Sequence, residues 1–351
     1  MSNLFVARFG WKGGDMSEIG IGVLGVGMMG KYICPINQEA NSTLRVKQIC
    51  DLNPDLLEDV GNRYNVADRT TSYEEMLSRD DVQVIAVFTP DHMHIKHCLQ
   101  AFEAGKHLII TKPMVMNLDE ARQVINAKNK SGRKCLVGQT MRFNLRMMAA
   151  RQLVDDGELG DIIFGDAYYT HDYRPYLTQD APWRRNPPLD LLVGGGCHPI
   201  DLITWYMGQV EEVHAYANNG GLSPGYTLED NFLINLKFKS GRMGRVMAAY
   251  GIIEPPHGQI AVTLYGEKGT WMDNRYVLDK FPTMPVHNLE FNTREQGHSF
   301  EVIRYLKHFE DCLINDKEPQ IGPEHAAHVL AVTDAVWTSV RKGGVVKVEE
   351  V

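Results

Sequence analysis

The run IGIGVLGVGMMGKYI, Ile19 to Ile33, sets a short apolar stretch directly ahead of Gly25, Gly27 and Gly30 in G-x-G-x-x-G spacing. Each glycine has its own reason to be there. Gly25 permits a tight turn, Gly27 lets a pyrophosphate approach bare backbone, and Gly30 lets the following helix pack closely on its strand. The unpaired amides at that helix's N-terminus then favour an anion. With 32 glycines in the chain, three in this spacing are weak evidence alone, and their surroundings decide.

Outward from the turn, Leu44 to Cys50 reads as a second strand, and Asp51 lies 21 residues after Gly30. An acidic residue near that distance accepts hydrogen bonds from the adenosine ribose and repels a 2′-phosphate, which points to NAD over NADP, with NADP still open. Asn53 and Pro54 supply an N-cap and first-turn proline for a helix to about Arg63. Ser72 with Glu75 forms a capping box. Val82 to Phe88 is a nearly continuous apolar run, as befits a strand covered on both faces. A helix from about His92 stops at Gly105, Leu108 to Ile110 follows as strand, and Asn117 with Glu120 caps a helix that ends near Ser131-Gly132. Lys134 to Gly138 closes a series of βαβ units, hence a parallel sheet.

Composition sets the outer limits. The 351 residues predict two domains, and 44% apolar with 23% charged residues is ordinary for a globular protein. The net charge of −8 and the want of a basic stripe argue against a nucleic-acid partner. Cys34, Cys50, Cys98, Cys135, Cys197 and Cys312 form no C-x-x-C pair and lie mostly in apolar runs, as reduced buried thiols do. No stretch reaches the roughly 18 apolar residues of a membrane span, and the start lacks a signal peptide's apolar run. A cytoplasmic protein without membrane partner is expected. Residues 1–18 read as a tail, 19–139 as the dinucleotide domain and 140–351 as a second domain for substrate and oligomer contacts.

After about Thr140 the pattern changes to successive strands: Ile162 to Thr170, Val210 to Asn218, Asn231 to Phe238, Arg242 to Ile252 and Gln259 to Tyr265. Phe232, Ile234, Leu236 and Phe238 alternate with Asn231, Leu233, Asn235 and Lys237, giving one apolar and one mostly polar face. This predicts an antiparallel sheet, with helices near Pro199 to Met207 and Glu324 to Lys342.

Ligands of parallel sheets bind at the carboxyl ends of the strands. Thr89-Pro90-Asp91, with His92 and His94 beyond, and Thr111-Lys112-Pro113 both fall there. His-x-His also occurs at metal sites, but no matching carboxylate and Cys cluster is nearby, so no metal is expected. In LLVGGGCHPIDL, Leu191 to Leu202, three glycines precede Cys197, His198 and Asp201 and suggest close approach of a ligand or backbone. Cys197, with no identifiable second thiol or base, reads as packing. Tyr173, Arg174, Tyr176, Trp183, Arg184 and Arg185 suit a sugar face and an ordered loop equally.

Taken in order, GVGMMG at Gly25, TPDHMH at Thr89, TKP at Thr111, GGGCHPID at Gly194, YGEKGTW at Tyr265 and DAVWTSVRKGG near the end resemble the glucose-fructose oxidoreductase, inositol dehydrogenase and rhizopine catabolism (Gfo/Idh/MocA) family. The resemblance covers nearly the whole chain after the tail. It implies an α/β protein: an N-terminal Rossmann domain with a parallel sheet, plus a C-terminal α/β domain with a large, mainly antiparallel open sheet. It also implies homodimers or homotetramers through that sheet, and oxidation or reduction of one carbon of a sugar, cyclitol or related polyol.

From the family's E-K-P motif the lysine beside nicotinamide and substrate maps to Lys112, often with a cis bond to the proline, here Pro113; Thr111 replaces the glutamate. In D-x-x-x-H-x-x-D the histidine maps to His198 and the last aspartate to Asp201, while Gly194 stands at the first. Either Asp172 or Asp190 substitutes for that carboxylate, or Lys112 and His198 suffice. The expected cofactor set is Gly25, Gly27, Met28, Met29, Gly30, Asp51, Thr89, Pro90, His94, Thr111 and Lys112. The expected substrate set is Lys112, Arg142, Asp172, Tyr173, Trp183, Arg184, Cys197, His198 and Asp201.

His198 is the expected acid/base, since an unperturbed imidazole titrates near neutral pH, and Lys112 the orienting charge. The same residues also admit a lyase or glycoside-cleaving enzyme that recycles its NAD, or a non-catalytic NAD-binding regulator.

Overall fold

The computed structural model describes residues 18–175, 190–256, 258–292 and 297–351. Its first sheet holds six parallel strands: β1 (Ile19–Leu24), β2 (Leu44–Cys50), β3 (Asp68–Thr70), β4 (Val84–Val87), β5 (His107–Ile110) and β6 (Cys135–Val137). Their spatial order is β3-β2-β1-β4-β5-β6. The chain thus winds outward in both directions from β1, and the order reverses between β1 and β4, where a crevice opens above the strand ends. All four residues of β4 are wholly buried, as the continuous apolar run predicts. Burying each Val or Ile there contributes about 1.5–3 kcal/mol.

The connecting helices are α1 (Pro54–Tyr64), α2 (Tyr73–Leu77), α3 (His94–Glu103) and α4 (Leu118–Ser131). Their starts are written locally: the Asn53 side chain accepts from the amides of Asp55 and Leu56, Ser72 from Glu75, and Asn117 from Glu120. One link departs from expectation. The segment after the glycine turn, Gly30–Gln38, is a 3₁₀ helix, and Pro35 inside it has no N–H to sustain α-helical bonding.

A second sheet of nine strands follows: β7 (Ile162–Thr170), β8 (Val210–Asn218), β9 (Asn231–Phe238), β10 (Met243–Ala249), β11 (Ile260–Gly266), β12 (Gly269–Met272), β13 (Arg275–Leu278), β14 (His287–Asn288) and β15 (Val346–Lys347). Every pairing is antiparallel except β7 with β10, so the sheet is mixed, mainly antiparallel. Helices α5 (Leu145–Asp155), α6 (Cys197–Met207), α7 (His298–Ile314) and α8 (Pro323–Lys342) complete the element order. Ile203 and Met207 of α6 pack so tightly on β7 that a Cβ on Gly165 would fall within 2.6 Å of both.

The two cores are not strictly sequential. Val302, Tyr305, Leu306 and Phe309 of α7 are buried in the first core, although they follow the second sheet in sequence. Glu310 reaches back as well, accepting from the Thr43 hydroxyl at 2.7 Å and the Ser42 hydroxyl at 3.1 Å. The six cysteines are buried and unpaired. No helix among the described residues is long and apolar enough to cross a membrane.

Candidate active site

A cleft of about 1130 Å³ runs across the carboxyl ends of β1, β2, β4 and β5 and on to the second domain. Its near end is the glycine turn. Gly25 has φ of +84°, and a Cβ on it would meet the Phe88 carbonyl oxygen at 2.6 Å; one on Gly30 would meet the Gly25 oxygen at 1.9 Å. Both are glycine for internal reasons. Gly27 differs: a Cβ there would touch nothing within 4 Å, and it lines the cleft with Met28 and Met29. No internal contact requires its bareness, so it leaves a cradle that fits a pyrophosphate against backbone amides.

Asp51 faces the same space from the tip of β2. Its two oxygens accept from the amides of Val26 and Asn53, each at 3.0 Å. The residue therefore holds the glycine turn and starts α1 while presenting its charge to the cleft. A carboxylate has lone pairs beyond those two bonds, enough for ribose hydroxyls. The residues present thus fit a dinucleotide, with the glycine turn for its phosphates and Asp51 for its adenosine ribose.

Thr89, Pro90, Thr111 and Lys112 line the middle of the cleft. His94, expected at the cofactor, does not reach it. Its ring is wholly buried, with Nδ1 at 2.8 Å from the Pro113 carbonyl and Nε2 at 2.9 Å from the Thr89 carbonyl. It is a strut joining the two strand-end loops, and helix packing turned it inward. Gly30, likewise expected at the cofactor, lies beneath the turn. The Lys112–Pro113 bond is cis.

At the far end Lys112 meets the second domain. Its Nζ donates to the Gly194 carbonyl, in a π-helical turn over Leu192–Gly196 that leads into α6. The i+5 donor that a π-turn brings to that carbonyl is residue 199, and Pro199 has no N–H. The carbonyl accepts from Lys112, at the position where the family's pattern has an aspartate. Gly195 serves packing, since a Cβ there would strike the Tyr250 hydroxyl at 2.6 Å.

Neither proposed substitute carboxylate lines this cleft. Asp190 caps the turn, accepting from Leu192 and Val193 amides at 2.9 and 3.2 Å and from the Trp337 indole at 2.6 Å. Asp172 is paired with its neighbour Arg174.

His198, in the first turn of α6, is buried with its ring edge-on to Tyr169 and Nδ1 at 3.0 Å from Gln139 Oε1. Burial, and then the charge of Lys112, hold its imidazole well below the ordinary value, with Asp201 pulling the other way. It is thus neutral at pH 7. The expectation of an unperturbed imidazole does not hold, because α6 is packed into the core.

Two further expectations are corrected. Arg142 and Asp201 do not face the cleft but form a buried ion pair beneath it. Guanidinium Nε and a terminal nitrogen reach the two carboxylate oxygens at 2.8 and 2.7 Å, with His325 at 2.9 Å. Burial raises the Asp201 carboxyl, but Arg142 and His325 outweigh it and bring it down to about 2. Cys197 is packing, its thiol pushed up to about 11 by burial. Tyr173 does line the cleft; Trp183 and Arg184 lie outside the described residues.

The sequence reading missed Tyr169, His171 and His298, all at this end of the cleft. His171 directly follows β7, and strand-end position was the signal that could have found it. His298 opens α7, which the sequence reading did not identify.

Comparisons with known proteins follow the same geometry. Residues 19–139 match the model of an oxidoreductase family with NAD-binding Rossmann fold, and residues 147–272 the GFO/IDH/MocA C-terminal domain. The chain is 25% identical to inositol 2-dehydrogenase of Rubrobacter xylanophilus over 349 residues, covering 96% of this chain and 95% of that one. It is 28% identical to Oxidoreductase P35 of Formosa agariphila over 207 residues, 56% of this chain and 63% of that protein's length. A levoglucosan dehydrogenase solved with NADH shares the fold at a TM-score of 0.86 and 18% identity, over 95% of this chain and all of that one. The chain belongs to the Gfo/Idh/MocA family of oxidoreductases and carries that family's NAD-binding Rossmann fold.

Proposed function

We propose that the protein is an NAD-dependent dehydrogenase that moves a hydride between the cofactor and one secondary alcohol or ketone carbon of a sugar, cyclitol or related polyol. The observation that carries this reading is that Lys112 and His198 line the same cleft as the glycine turn, at its junction with the second domain. The names of the inositol and levoglucosan dehydrogenases to which the chain is similar support the substrate class.

The glycine turn and Asp51 would hold the cofactor, which would supply the hydride acceptor. Lys112, fixed by the Gly194 carbonyl, sits where its ammonium can hydrogen-bond the substrate oxygen and favour alkoxide character as the proton leaves. Neutral His198 has one ring nitrogen to accept that proton. Its depressed basicity favours a short stay of the proton, because an imidazolium beside Lys112 is disfavoured. Tyr169, His171 and Tyr173 supply aromatic faces and polar edges of the kind that bind a polyol ring.

The exposed face of the second sheet supports self-association. Tyr216, Leu233 and Met247 lie in register on neighbouring strands and are 64%, 43% and 39% exposed. A second copy of the chain covering them is the reading the family resemblance favours.

The test is a panel of sugars, inositols and sugar acids with NAD⁺ and NADP⁺. NADH accumulating in step with an oxidised product supports the dehydrogenase. Product formed while NADH stays at trace level marks a recycled cofactor, and NAD⁺ binding with no turnover across the panel marks a regulator.

A further inference from the structure

Resting on the dehydrogenase reading, we infer that Gln139 is a positioning residue that fixes the tautomer of His198, so that Nδ1 carries the proton and Nε2 keeps its lone pair for the substrate. Gln139 lies two residues past the end of β6 and is 3% exposed, and His198 is 6% exposed. Their contact joins the two domains, with Oε1 at 3.0 Å from Nδ1.

A neutral imidazole has one donor and one acceptor nitrogen, and the partner of one decides the role of the other. A carbonyl oxygen facing Nδ1 selects the proton there. The more familiar orienter of a catalytic histidine is a carboxylate, which also raises its basicity. Here an amide oxygen sets the tautomer and adds no charge. Lys112 likewise donates to a backbone carbonyl, that of Gly194.

The Arg142–Asp201 pair ties the same two elements together one turn deeper. Arg142 lies three residues after Gln139, and Asp201 three after His198. Around His198 the other titratable groups are Lys112 beyond β5, Asp201 on its own helix, His171 beyond β7 and His298 on α7.

The test reads ring nitrogens of the ¹⁵N-labelled full-length protein by long-range proton–nitrogen spectra, with His198→Asn to assign the signal. The expected wild-type signal is a protonated Nδ1 and a bare Nε2. Gln139→Leu should mix or reverse the tautomer and lower kcat by at least about tenfold with KM within about threefold. Gln139→Glu should restore the tautomer, recover most of the activity and move the acid limb of the pH profile up by about one unit or more.

A wild-type signal with the proton on Nε2 overturns the inference, whatever the variants do, and so does a Gln139→Leu protein with unchanged tautomer and kcat. If the tautomers behave as expected but no polyol reduces NAD⁺, the Gln139 contact stands and the dehydrogenase reading fails.

Discussion

Replacing Asp201 by alanine separates a substrate residue from a buried prop. The structure places its carboxylate between Arg142 and His325, with the Arg142 side chain 2% exposed. Without it the guanidinium keeps the Gln320 carbonyl at 3.2 Å and loses both in-plane partners. Removing one partner of a buried pair costs about 3–5 kcal/mol, roughly a fifth or more of the stability of an ordinary domain. The loss is read as a fall in the urea midpoint. Because Arg142 and His325 hold the carboxyl at about 2 in the native state, below its unfolded value near 3.9, the wild type also gains roughly 2–3 kcal/mol above pH ~4. That share disappears as pH falls through 2, and the variant lacks the dependence. Replacing both partners, Arg142→Met with Asp201→Leu, should cost less than Asp201→Ala alone. An Asp201→Ala protein of near wild-type stability with a strongly raised KM would refute the reasoning and return Asp201 to the substrate.

Other outcomes follow from the same geometry. Gly27→Val should weaken NAD⁺ binding by at least about tenfold while stability stays within about 0.5 kcal/mol, since no protein atom opposes the new side chain. Gly25→Ala should instead cost about 1–3 kcal/mol in denaturant, from its φ of +84° and the Phe88 carbonyl. Asp51→Asn, which keeps an acceptor for the Val26 amide but removes the charge, should narrow the NAD⁺ to NADP⁺ affinity ratio by about tenfold in calorimetry. Leu233→Asp with Met247→Asp should convert the assembled protein to monomers by light scattering, and a wild type that is already monomeric would contradict the covered sheet face.

The glycine turn, Asp51, Lys112 and His198 were legible because each sits at a strand end or helix start, and those positions are written in local sequence. What their neighbours do was not. His94, Arg142 and Asp201 are polar residues beside the site, and only the packing of α3 and α6 decides that they point into the core. Lys112 donates to a backbone carbonyl within a π-turn, a contact that no side-chain pattern encodes. The second sheet is mainly antiparallel as expected, and the one parallel pairing, β7 with β10, joins strands distant in sequence that local alternation does not pair. For α7, the sequence reading predicted nothing, so its part in the first core and in the cleft emerged only from the structure.

Lys112→Met separates cofactor binding from hydride transfer, with NAD⁺ affinity and turnover measured on one preparation and the best substrate of the panel. The dissociation constant for NAD⁺ should stay within about threefold of wild type and kcat should fall by about 100-fold or more. Full turnover in a variant that still binds NAD⁺ would contradict the role of Lys112 in hydride transfer.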